Sequence, residues 1–249
     1  MYTIEMHQVS NEFVLCWNSA LNHLETKGRE AIKWLKCDLK PPFLDHASFR
    51  IGNQLFFIRI EDIDSNLDTP SNLNGLRCIA RECNGVECLM PMQKYGVNWE
   101  VATEGWGLIE PNTHNIIDPF KLVTNENILM TEWELQDFAV QVVRNYVQDN
   151  LGHEILSSQG NPKVHPSLWF NGKEKKECVI VGSAKFGDFM PELPPNINDI
   201  INDVSNVTDK VHFAKVCFHH PDQKNHQEVL PLFRGHGTGI QFSGMSQIT

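Results

Sequence analysis

Residues 131–186 constrain the fold most, because they mark out a helix at both ends and follow it with two β-rich segments joined by Asn171-Gly172. Thr131 followed three residues later by Glu134 fits the reciprocal capping box, in which each side chain satisfies a backbone N–H that the first helical turn leaves unpaired. Leu135, Phe138, Ala139, Val142 and Tyr146 then recur at steps of three and four as one apolar stripe, and Gly152 supplies a left-handed stop. The spacing predicts a helix over 131–151. Segments 164–170 and 177–186 are rich in β-branched and aromatic residues, so the Asn-Gly dipeptide between them predicts an antiparallel hairpin. Cys178, Val179, Ile180 and Val181 are apolar at consecutive rather than alternate positions, which marks a central strand covered on both faces.

Toward the N-terminus, Ser10 caps an expected helix running to about residue 39, since Phe13, Trp17, Ala20, Leu21, Leu24, Ala31, Ile32 and Leu35 keep a helical period. Gly28 is its weak point, and Pro41-Pro42 ends it. Gly52-Asn53 predicts a second hairpin over 48–62, with Phe49 and Ile51 answering Leu55 and Phe57. A helix over 73–83 stopped at Asn84-Gly85, and a strand over 86–92, follow. Between 95 and 127 the pattern breaks into Gly, Pro, Asn and Trp, which places the expected boundary between a region 1–125 and a sheet domain 126–249, with one continuous domain as the alternative. Trp99 and Trp106 in this stretch read as cover for a core edge. Further on come an irregular proline-rich connection at 189–196, a helix near 197–204, a strand over 211–218, and two short extended pieces in 229–242. The fold class is α+β: a mixed sheet with packed helices in the C-terminal half, and helices plus a hairpin before it.

A chain of 249 residues buries a substantial core without metal or disulfide, so no cofactor is expected from size. A net charge of −10 gives no global pull toward nucleic acid or an anionic membrane, so any such binding has to be local. The longest apolar runs fall far short of the roughly 18 residues of a membrane span, and residues 1–10 lack the pattern of a secretory signal. A cytoplasmic location is therefore expected. The seven cysteines, Cys16, Cys37, Cys78, Cys83, Cys88, Cys178 and Cys217, read as reduced core thiols; the five-residue spacing of Cys78, Cys83 and Cys88 is too wide for a zinc pair. The acidic run Glu61, Asp62, Asp64 and Asp68 lacks the order of a calcium loop and reads as a solvated turn. Arg234 to Gly239 is glycine-rich, but no helix follows it to direct a dipole at a phosphate.

In order of elements, residues 131–218 resemble the core of the PD-(D/E)xK nuclease superfamily, in which one strand supplies an Asp and the next an acidic-x-Lys pair for metal-assisted phosphodiester hydrolysis. His165 before Pro166 stands where the family has its Asp, and Ser183-Ala184-Lys185 falls on the acidic-x-Lys pattern, with Glu177 six residues earlier than Ser183. The resemblance implies Lys185, Glu177 and His165 as catalytic groups, and Glu134, Glu177 and His165 as ligands of magnesium or manganese. The carboxylates such a site needs are absent or displaced, and Glu132 and Glu134 already serve the helix start. The chain therefore reads as a non-catalytic interaction or accessory protein on a degenerate nuclease-like scaffold. The alternative is an active metal-dependent nuclease or phosphodiesterase, which requires Lys163, Lys173, Lys175, Lys176 and Lys185 to gather into one patch. Outside this core, His219, His220, Asp222 and His226, with His212 and His236, read as a solvated histidine loop rather than a transition-metal site. Arg234 and His236 read as exposed turn residues. No GxSxG sequence or local Cys–His signature indicates covalent catalysis.

Overall fold

The computed structural model describes residues 9–37, 39, 46–67, 69, 73–185, 191–223 and 230–249, and these form two compact units that part between Ile128 and Leu129. The expectations placed on Pro41-Pro42, Asp68, residues 186 and 189–190, His226 and residue 229 lie outside them. No helix among the described residues is long and apolar enough to cross a membrane.

The N-terminal unit starts with α1 (Asn11–Gly28), whose Ser10 hydroxyl accepts from the Phe13 N–H at 3.1 Å and whose buried face carries Phe13, Cys16, Trp17, Ala20 and Leu24. The helix ends at Gly28, well short of residue 39. A Cβ at Gly28 would meet Ile32 Cδ1 at 2.5 Å and the Trp106 ring at 3.0 Å, so the chain folds back tightly there, and Arg29 takes a φ of 47°. The apolar residues read as further helix then serve a strand, β1 (Lys33–Lys36), which pairs antiparallel with β2 (Ala47–Ile51). Pairing with a neighbouring strand has overridden the helical period.

The second expected hairpin is present as β2 and β3 (Gln54–Asp62), in a register that sets Phe49 against Phe56 rather than Phe57; the two rings stack at 5.0 Å. A crossover through α2 (Leu73–Glu82) brings β4 (Val86–Tyr95) parallel to β3. Asn84 takes the left-handed stop at φ 48°, while Gly85 leaves room for the Phe57 ring, whose Cε2 would lie 2.6 Å from a Cβ.

The stretch 95–127 is built into this unit. It supplies β5 (Asn98–Val101), β6 (Leu108–Ile109), β7 (Ile116–Ile117) and α3 (Pro119–Leu122), and completes a sheet ordered β1-β2-β3-β4-β6-β7 with β5 also paired to β4. Trp99 and Trp106 are buried in its core.

The C-terminal unit opens with α4 (Glu132–Asn145), continued by a single π-turn over Tyr146–Asn150 and stopped by Gly152 at φ 69°. Both hydrogen bonds of the capping box are formed. Then come β8 (Ile155–Ser158), β9 (Leu168–Asn171), β10 (Lys176–Lys185), α5 (Ile197–Val204), β11 (Val211–His219) and β12 (Gly239–Gln247). The sheet order is β12-β11-β10-β9-β8, with β10 parallel to β11 and the other pairs antiparallel. β10 is central. On one face Val179 and Val181 pack with Leu135, Ala139 and Val143 of α4, and on the other Cys178 and Ile180 pack with Ile200 and Val204 of α5. Burial of each such Val, Leu or Ile contributes about 1.5–3 kcal/mol, which explains the consecutive apolar run.

Three details differ from expectation. The first hairpin strand, expected over 164–170, runs only from Leu168 to Asn171. The β9–β10 turn spans four residues, 172–175, closed by the Gly172 N–H donating to Lys175 O at 2.9 Å. The tail forms one strand of nine residues, β12, which passes through a register shift opposite Lys215 with Gly244 at φ 99°.

Candidate functional site

Residues proposed for one site occupy the two ends of β10. Glu177 is its second residue and Lys185 its last, eight positions on; at the rise of a β-strand that separates their Cα atoms by about 26 Å. They cannot act on one phosphate. This corrects the expectation that Glu177 holds a metal beside Lys185, and the reason is the regular extension of a central strand.

At the first end, Glu177 is buried and engaged. His212, which the parallel register of β11 sets opposite Val179, reaches diagonally to bring Nε2 to 2.6 Å from Glu177 Oε2, and Lys210 Nζ lies 3.4 Å from Oε1. Gly172 makes room for this carboxylate, since a Cβ there would sit 2.6 Å from Glu177 Cδ. The Phe170 ring centroid lies 6.0 Å from that of the His212 imidazole and 5.3 Å from that of His153. A carboxylate bound by an imidazole and an ammonium, within a shell of aromatic and strand atoms, has its acceptor capacity used inside the fold. No local pattern in the sequence joins Glu177 to His212, 35 residues away; the contact comes from the parallel register of β10 and β11, which sets His212 opposite Val179, two residues beyond Glu177.

At the second end, Glu134 does more than cap α4. Its carboxylate accepts the Thr131 N–H at 2.8 Å and also takes a two-pronged bond from Arg234, Nε to Oε1 at 2.7 Å and Nη2 to Oε2 at 2.8 Å. Arg234 is only 4 % exposed, so it is a core cation and not the exposed turn residue expected. It is drawn in because Met130 N–H donates to Leu232 O and Leu129 bridges Phe233, which lays the 230–234 segment against the start of α4. Gln136, two residues after Glu134, donates from Nε2 to Val181 O at 2.8 Å, and the Ser167 hydroxyl accepts from Val181 N–H at 3.3 Å. β9 begins only at Leu168, so these two buried side chains satisfy the backbone of β10 on the side that β9 does not reach, while β11 pairs along the other.

His165 sits in the 159–167 connection, joined to Pro166 by a cis peptide. Its Nδ1 is buried without a hydrogen-bond partner, and burial lowers its pKa below the usual histidine value. Glu134, Glu177 and His165 are not brought together; among the described residues no three His, Cys, Asp or Glu side chains are grouped to hold a metal ion. The lysines are also dispersed. Lys173, Lys175 and Lys176 lie at the β9–β10 turn, with Lys175 paired to Asp209, whereas Lys185 is nine positions beyond Lys176, about 30 Å along the strand.

The histidine loop divides in the same way. His212 stands near the start of β11 and His219 at its end. His220, Asp222 and His236 line an open depression with Pro221, Gly235 and Gly237, and His220 Nδ1 accepts the Asp222 N–H at 3.2 Å. In the N-terminal unit, Asp62 is no solvated acid: it is buried, and its carboxylate accepts N–H bonds from Asp64, Asn66 and Leu67 at 3.0, 3.0 and 3.1 Å. Five cysteines are buried, whereas Cys37 and Cys78 are exposed rather than core residues. Burial pushes the Cys16 and Cys178 thiols up to about 12 and raises those of Cys88 and Cys217, which suppresses the nucleophilic thiolate.

Residues 133–248, within the C-terminal unit, match the model of a family described as a domain of unknown function, DUF8840. Comparison with curated proteins and with solved structures finds no match.

Proposed function

We propose that the C-terminal unit is a non-catalytic interaction module on a degenerate nuclease-like scaffold. The order α4, β8, β9, β10, α5, β11 supports the scaffold half of this reading, because it is the order on which the resemblance rests. The observation that carries the non-catalytic half is the fate of the two carboxylates. Glu177 is about 26 Å along β10 from Lys185 and bonded to His212 and Lys210. Glu134 is held by Arg234 and the Thr131 N–H. Metal-assisted hydrolysis needs oxygen ligands free to hold an ion beside a water and the scissile phosphate, and both carboxylates are committed to the fold.

The test is incubation of the full chain with single- and double-stranded DNA and RNA in magnesium or manganese, beside Lys185→Ala. No cleavage is expected. Cleavage by the wild type that Lys185→Ala abolishes would overturn the reading in favour of the phosphodiesterase. The interaction half is tested by affinity capture from the native host with the wild-type chain: recovery of a specific partner is expected, and no partner at all counts against it.

A further inference from the structure

We draw no further inference here: the strongest candidate, the buried Glu177–His212–Lys210 cluster at the start of β10 and β11, belongs to the site already described, and nothing in the structure points to a ligand beside it.

Discussion

Replacing Arg234 by Met separates two roles that Glu134 combines. The guanidinium side chain is 1 % exposed and the carboxylate 9 %, and two hydrogen bonds of 2.7 and 2.8 Å join them. Removing one partner of such a pair leaves the other charge buried and uncompensated, at about 3–5 kcal/mol. Loss of the cap alone, in Thr131→Ala, costs about 1 kcal/mol. If Glu134 served only the helix start, the two variants would be equally mild. With the pair buried as it is, Arg234→Met is several-fold worse and lowers the melting temperature by roughly 10–20 °C. Calorimetric unfolding of the full chain measures both, together with Glu134→Gln and the double variant. The double variant should cost less than the sum of its singles by about 1–3 kcal/mol, because the second change removes a charge the first had stranded. An Arg234→Met protein within about 1 kcal/mol of wild type would refute the reasoning.

Other perturbations report on the opposite end of β10 and on the thiols. A Cβ at Gly172 would meet the Glu177 carboxyl carbon at 2.6 Å, so Gly172→Ala should destabilise by about 1–3 kcal/mol in urea unfolding; in a Glu177→Ala background the same change should cost almost nothing, and an equal cost in both would dismiss the steric account. Cys16 and Cys178, with thiols pushed up to about 12, stay protonated and shielded at pH 8. Alkylation of the native protein there, read by peptide mass spectrometry, should label Cys37 and Cys78 first, and rapid labelling of Cys178 would contradict the packing.

Local signals in the sequence hold where one short segment carries the whole physics. The Thr131–Glu134 box, the Gly152 stop and the apolar run of β10 each depend on neighbours within a few residues, and each formed as expected. The departures from the sequence pattern share a cause. Ile32 and Leu35 fit a helix stripe, but an adjacent strand competed for Lys33–Lys36. Arg234 looked like a turn cation because Glu134 lies 100 residues earlier, and Glu177 looked available because His212 belongs to a later strand. Gln136 and Ser167 carried no motif at all; their role exists only because β9 starts two residues after Pro166 and leaves Val181 to be satisfied by side chains. Burial of long-range polar pairs is a property of the assembled sheet, and single-segment patterns do not contain it.

An edge strand offers unpaired N–H and C=O groups to any extended chain, and proteins blunt such edges with charge, shortness or bulges. Among the described residues, β1 shifts register between Trp34 and Lys36 and carries two lysines, β7 has two residues, and β8 shifts between Ile155 and Ser157. β12 differs: its nine residues, GIQFSGMSQ, contain no charge and no proline. Among the described residues, its bulge is the protection that remains. The shift lies between the pairs Val216↔Phe242 and Ala214↔Met245, so Ser243 and Gly244 together oppose Lys215. Deleting Gly244 therefore leaves one residue opposite one, keeps Met245 and Phe242 on the α4 face where they pack, and straightens an uncharged edge. The variant should fold with α4 and β10 intact, as judged by circular dichroism, yet show a larger mass than wild type by light scattering at equal concentration. Adding Gln241→Lys to the deletion should return that mass to the wild-type value, since a charge on the edge replaces the lost bulge. A deletion variant of unchanged mass would mean that the bulge does not guard this edge.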